Sequence, residues 1–176
     1  MNPNDSQIII RCATVDDAMR LTELAARTFW DTFAVYNKAE DMQAYMSSAF
    51  TVTQIASEIA DRLAKFFVAE INGELTGYAK LFAGEVPECI TGTRPIELAR
   101  LYVSQNYLGR GLGQKLLQAC FDDAIKSGCQ TMFLGVWEHN ERAKAFYRKH
   151  GFREVGSHPF ILGEDHQTDL WMERGL

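Results

Sequence analysis

Residues 96–117 read IELARLYVSQNYLGRGLGQKLL. Ile96 to Val103 form an apolar run of strand character, and from Gly111 onward Leu112, Leu116 and Leu117 recur at helical spacing. Between strand and helix, Leu108-Gly109-Arg110-Gly111-Leu112-Gly113 sets glycines at alternate positions. Glycine allows positive φ and a close approach of backbone to ligand. The first amides of the following helix have no partner inside it, so they face outward. With the helix dipole they favour an anion by roughly 0.3–1 kcal/mol per charge, and up to ~2 kcal/mol when partly buried. The turn is therefore a candidate phosphate cradle.

Three ligands compete for such a cradle. A Walker P-loop needs Gly-x4-Gly-Lys-Ser/Thr, which is absent. A dinucleotide fingerprint needs glycine where Gln114 stands, an early place in the chain and an acidic residue about 20 positions on; none of these fits. A pyrophosphate cradle for coenzyme A meets no such conflict. A tight turn without a ligand is the bland alternative, and the turn alone leaves those last two open.

Working outward, Ile8 to Ile10 read as a first strand. Thr14-Val15-Asp16-Asp17 resembles a capping box, followed by a helix with Leu21, Leu24, Ala25 and Thr28 on one face. Thr28 to Leu63 is helical in pattern, with further N-terminal signals at Asn37/Glu40 and Thr51/Gln54. Phe66 to Ile71, Asn72-Gly73 and Leu75 to Phe82 make a hairpin, because Asn-Gly suits a type I′ turn. Residues 84–95 are a loop. After the glycine-rich turn come a helix from Gly111 to Ser127 stopped by Gly128, a strand Thr131 to Trp137, a helix Asn140 to His150 ended by Gly151, and strands Phe152 to Ser157 and Thr168 to Met172. This order predicts a mixed α/β sheet in one domain, residues 1–176.

The chain has 176 residues, 47% of them hydrophobic, enough for a core, and no apolar run reaches the ~18 residues of a membrane span. Met1 to Asp5 carry no basic residue and precede no long apolar stretch, so no secretory signal is expected. Cys12, Cys89, Cys120 and Cys129 have no metal or disulfide spacing, which predicts reduced thiols, a cytoplasmic protein and no metal. His139, His150, His158 and His166 show no ligand spacing either and are read as surface or capping residues. A net charge of −5 argues against nucleic acid and is compatible with a cationic small substrate.

Val103 to Leu117 resembles the acetyl-CoA loop of GNAT acetyltransferases, Gln/Arg-x-x-Gly-x-Gly/Ala. Aligned on Gly111 and Gly113, Leu108 stands where Gln or Arg is usual, which removes one side-chain donor. Trp137 to Phe152 resembles the second GNAT motif, Asn-x-x-Ala-x-x-Phe-Tyr-x-x-x-Gly-Phe, with Asn140, Ala143, Phe146, Tyr147, Gly151 and Phe152 in place. Phe29 to Phe33, Glu97 to Val103 and Gln167-Thr168-Asp169 resemble the PaiA-like branch, whose members acetylate spermidine and spermine. The resemblance implies a single-domain α/β fold, a mixed and mostly antiparallel sheet flanked by helices, with acetyl-CoA at the splayed central strands. It also implies a homodimer.

Acetyl transfer from a thioester to an amine needs a deprotonated amine, a polarised carbonyl and a proton for the leaving thiolate. By the resemblance, Tyr147 is the candidate acid and Glu97 the base or the holder of a base water. Gly109, Arg110, Gly111, Leu112, Gly113 and Gln114 would hold the pyrophosphate, Leu101, Tyr102 and Val103 the pantetheine, with Asn140 and Lys149 assisting. Read without it, Tyr147 is a packed aromatic, Asn140 an ordinary N-cap, and Glu97, Arg110 and Lys149 solvated charges. Trp30, Phe33 and Tyr36, with Asp31 or Glu40 for an ammonium, are candidate acceptor contacts, as are Glu85 and Glu88. The expected function is N-acetylation of a small primary amine, a polyamine foremost. The alternatives are another small amine, a protein N-terminus or lysine, or a non-catalytic coenzyme-A-binding regulator.

Overall fold

The structure, a computed structural model, describes residues 8–176. The reading of Met1 to Asp5 as no signal lies outside them. β1 (Ile8–Cys12) is followed by the Thr14–Asp17 box, where the Asp17 carboxylate accepts from the Thr14 amide at 2.9 Å. The box opens a 3-10 turn that runs into α1 (Ala18–Phe33). Leu21, Leu24, Ala25, Thr28 and Phe29 form the buried stripe of α1. The helical stretch beyond divides into α2 (Ala39–Ala49) and α3 (Val52–Ala60). Thr51 caps α3 as its spacing predicts, accepting from the Gln54 amide at 3.1 Å. Asn37 does not cap α2. Its amide donates back to the Phe33 carbonyl at 2.8 Å, which closes α1, and Lys38 takes the cap position.

β2 (Ala64–Ile71) and β3 (Glu74–Phe82) are joined by Asn72 and Gly73, both at positive φ, as the type I′ reading requires. β4 (Pro95–Val103), α4 (Leu112–Lys126), β5 (Thr131–Trp137) and α5 (Glu141–Lys149) follow close to their expected bounds. The last two strands are longer than expected: β6 (Arg153–Leu162) and β7 (Asp165–Gly175) form one long hairpin arm. Pro159 and the polar run Glu164 to Gln167 hide the strand pattern. Phe160 and Leu162 nonetheless pack inward against the α1–α3 layer. The arm's tip rests on α2, where the Glu164 amide donates to the Asp41 carboxylate at 2.9 Å.

The sheet has seven strands in the order β1-β2-β3-β4-β5-β7-β6. All neighbours are antiparallel except β4 and β5. One face packs on α4 through Leu112, Leu116, Leu117, Cys120 and Phe121; the other is covered by α1–α3 through Leu21, Leu24, Met42 and Ile55. Each such fully buried aliphatic side chain is stabilising by about 1.5–3 kcal/mol.

Two irregularities shape the centre. β4 and β5 pair only where Pro95, Ile96 and Glu97 face Thr131, Met132 and Phe133. Beyond that point Leu98 to Val103 and Leu134 to Trp137 do not pair with each other, so the sheet opens into a V. On the other side of β4, Lys80 faces Arg100 while Leu81 faces Leu98, which leaves Ala99 as the extra residue of a bulge.

Candidate active site

The glycine turn sits at the mouth of the V. Gly109 and Gly111 have φ of 77° and 78°, and a Cβ at either would meet nothing within 4 Å. Their glycines are therefore required by conformation, not by space. Gly111 occupies the N-cap of α4 with no side-chain cap, so the first amides of α4 remain without an intrahelical acceptor. A Cβ on Gly113 would make ordinary contact, 3.7 Å from the Phe146 ring.

This turn, β4 and α5 line a cleft of about 890 Å³. Of the candidate cofactor residues, Leu101, Tyr102, Val103, Gly109, Gly111, Leu112, Gly113, Gln114, Asn140 and Lys149 all line it. Arg110 does not. It is exposed and its guanidinium lies over the Tyr107 ring, 5.2 Å from the centroid. Asn140 is an N-cap, accepting from the Ala143 amide at 3.1 Å, and borders the cleft as well.

A second, smaller cavity of about 180 Å³ opens on the α1–α3 side. Phe29, Phe33, Tyr45, Phe50 and Phe160 supply most of its aromatic wall. Phe29 stacks on Tyr45 at 5.0 Å, and Tyr45 meets Phe160 edge-on at 5.7 Å. The two cavities share Leu101, Tyr102, Trp137, Asn140, Ala143 and Tyr147. Tyr147 thus stands in the gap of the V, where both chambers meet. Burial, and secondarily Cys120, pushes its phenol pKa well above the usual range, so it is a protonated donor at neutral pH.

Glu97 lines neither cavity. It projects toward the α3 side, where Glu58 accepts from Lys80 and Arg100 at 2.8 Å each. Burial raises the Glu97 pKa against the pull of Lys80 and Arg100. Among the wall residues of the smaller cavity the charged side chains are Asp169 and Arg100. Asp169 is raised by burial, opposed by His158 and reinforced by Glu138.

Of the acceptor contacts expected from sequence, Phe33 lines the smaller cavity, whereas Asp31 and Tyr36 border the larger cleft. Trp30 is 45% exposed and, like Glu40, lies on neither. Glu85 and Glu88 are exposed and also line neither, because their loop is tied to β7 through Thr91 and Glu173 at 3.1 Å. Sequence reasoning missed Asp169, Tyr45, Phe50 and Phe160 as wall residues. The signal available was the Gln167-Thr168-Asp169 tail, which carried no assigned role.

Among the described residues no group of His, Cys, Asp and Glu could hold a metal, and no helix is long and apolar enough to cross a membrane. Residues 25–152 match the Acetyltransferase (GNAT) family. The chain is 31% identical over 160 residues to "Uncharacterized N-acetyltransferase in pepI 3′region" of Lactobacillus delbrueckii subsp. lactis, covering 91% of this chain and 92% of that one. It is 28% identical over 154 residues to the L-methionine sulfoximine/L-methionine sulfone acetyltransferase of Salmonella typhimurium, covering 86% and 84%. To the "Probable spermine N(1)-acetyltransferase" of Bacillus subtilis subsp. natto it is 30% identical over 91 residues, covering 50% and 59%. In fold it is similar to the PaiA N-acetyltransferase of Thermoplasma acidophilum solved with coenzyme A, with a TM-score of 0.79, 22% identity, and 97% and 99% of the two chains covered. The chain belongs to the GNAT acetyltransferase family. It is an acetyl-CoA-dependent N-acetyltransferase, and acetyl-CoA is its cosubstrate.

Proposed function

We propose that the chain acetylates the primary amine of a small cation, a polyamine such as spermidine or spermine, by direct attack in a ternary complex. The observation that carries this is the meeting of two chambers at Tyr147. Acetyl-CoA lies along β4 with its pyrophosphate on the amides of Gly109 to Gln114, Lys149 is a partner for its phosphates, and Asn140 reaches the pantetheine. The thioester then ends at the gap, and the acceptor enters from the aromatic chamber. Tyr147 gives its proton to the departing thiolate. Glu97, outside both walls, would act as base only through water. Aromatic faces attract alkylammonium groups within about 6 Å, and Asp169 supplies a counter-charge. The spermine acetyltransferase relative and the acidic net charge of −5 support the polyamine.

A second reading is an amino-acid acceptor, favoured by Arg100 in the chamber wall and by the methionine sulfone acetyltransferase relative. A thiol-release screen over spermidine, spermine, alkyl monoamines of equal carbon count and L-methionine sulfone separates the two. The polyamine reading expects the highest kcat/KM for spermidine or spermine and a KM that rises with ionic strength. Equal, salt-insensitive values for spermidine and a monoamine end it, and preference for the sulfone establishes the second reading. The homodimer is part of the proposal and is tested by light scattering.

A further inference from the structure

Attack needs the acceptor amine deprotonated, and Glu97, the base that the resemblance implies, lines neither chamber and lies near Lys80 and Arg100. We infer that Asp169 is the residue that receives the acceptor ammonium and takes its proton, and that His158 is its positioning residue. This rests on the acetyltransferase reading of the same site.

Asp169 lies on the wall of the aromatic chamber together with Tyr147. Across the β6–β7 ladder its direct partner is His158. Opposite partners sit side by side on one sheet face, and both converge over Gly135. A Cβ on that glycine would lie 3.3 Å from His158 Nε2 and 3.7 Å from Asp169 Oδ2. Gly135 also lines the chamber, so its missing side chain keeps this corner open. The imidazole is fixed: it stacks on Trp171 at 4.1 Å, and its Nδ1 contacts the Pro159 carbonyl at 3.1 Å. Its Nε2 is buried without a partner among the described residues. A buried, unpaired ring nitrogen is costly. Its placement beside a carboxylate on a ligand wall is what a relay or a clamp would require. The other ionisable groups around Asp169 are Glu138 after β5, Tyr45 from α2, Arg100 from β4 and Tyr147 from α5.

The protons balance as follows. The acceptor R–NH3+ pairs with the Asp169 carboxylate and passes it one proton, which frees the nitrogen lone pair. That pair forms the N–C bond to the thioester carbonyl carbon. The tetrahedral adduct collapses with cleavage of the C–S bond, and the thiolate takes the Tyr147 proton. The remaining excess proton on nitrogen restores Tyr147, and Asp169 releases its proton to solvent. One ammonium and one thioester yield one amide, one thiol and one proton. Burial of Asp169 raises its pKa toward that of the amine and so eases the first transfer.

Asp169→Asn and His158→Phe test the assignment with the best acceptor from the substrate screen. Expected for Asp169→Asn is a fall of about 10²- to 10⁴-fold in kcat/KM with calorimetric acetyl-CoA affinity retained. Its residual rate should climb with pH toward the amine's own pKa, without the low-pH inflection of the wild type. His158→Phe keeps a ring against Trp171 but removes the nitrogens, so the low-pH inflection should move upward. A wild-type kcat/KM and pH profile in Asp169→Asn overturns the inference while the acetyltransferase reading stands. If Asp169→Asn does not fold, an unmoved inflection in His158→Phe overturns it instead. A wild-type enzyme that acetylates no amine defeats the underlying function, a separate outcome.

Discussion

Glu97 and Arg100 project from the same face of the sheet, although their odd separation along β4 would put them on opposite faces of a regular strand. Glu97 faces Phe82 and Arg100 faces Lys80, and the bulge at Ala99 accounts for the change of phase. The same device lets Leu98 and Leu101 both turn toward α4. One extra residue thus brings two charges together on the α1–α3 side and keeps an apolar row against α4.

Glu58 is the counter-ion for the cationic side of this arrangement. Its side chain is 12% exposed, as is that of Lys80, and that of Arg100 is 19% exposed. Glu58→Ala takes away the carboxylate that both cations bond, leaving Glu97 as the acid near them, and should destabilise the fold by about 1–3 kcal/mol. Urea unfolding measures the loss, and a change under 1 kcal/mol would mean that water already screens the cluster.

Tyr147→Phe removes the phenol hydroxyl at the junction of the chambers and leaves the ring packed on Phe146 and Phe152. The fold should tolerate it. Because the donor acts in the transition state, kcat should fall by about 10²- to 10⁴-fold with little change in KM. An unaltered kcat, with chemistry rate-limiting, would reduce Tyr147 to a packing residue.

Gly111→Ala should cost about 1–2 kcal/mol, the penalty of a side chain in the left-handed region, and should weaken acetyl-CoA binding by tilting the free amides. Gly109→Ala should behave alike. Gly113 lies inside α4 with open contacts, so Gly113→Ala should leave stability equal or higher, since alanine is the better helix former by about 1 kcal/mol. Thermal unfolding with and without acetyl-CoA distinguishes the three.

Asp17 anchors the other end of the molecule. Its carboxylate accepts from Arg11 at 2.7 and 2.8 Å and from Arg20 at 2.7 Å. The Arg11 hydrogen bonds, working against burial, hold its pKa far below the usual carboxylate range. A depressed folded-state value means stability that is present above the unfolded pKa, near 3.9, and is lost as pH falls below it. Asp17→Asn should therefore cost about 1.5–3 kcal/mol at pH 7, and its deficit against wild type should shrink below pH 4. Chemical denaturation at pH 7 and pH 3.5 checks both the sign and the window.

Much of this was legible because the signals are local. Asn72-Gly73, Thr51 with Gln54, Gly128 and Gly151 each specify backbone geometry by their own chemistry, and the structure places a turn or cap at each. The lining of the larger cleft could be read for the same reason: its glycines and the α5 motif are contiguous. The smaller chamber could not. Phe50, Phe160 and Asp169 come from distant stretches and meet only through tertiary packing. The bulge at Ala99 leaves no mark in composition. Asn37 misled because its side chain satisfies the end of one helix and not the start of the next.

The long β6–β7 arm carries a consequence for how such a protein can diversify. The family match spans residues 25–152, whereas Phe160, Leu162 and Asp169 lie beyond it and line the smaller chamber. At the arm's tip a Cβ on Gly163 would come within 2.7 Å of the Asp41 backbone, so the contact with α2 tolerates no side chain there. The arm thus adds one wall to a chamber whose other walls, Phe29, Phe33, Tyr45 and Phe50 among them, lie within the family match. If the chamber takes the acceptor as proposed, substitutions at Phe160, Leu162 or Asp169 retune that wall while the glycine turn is inherited intact.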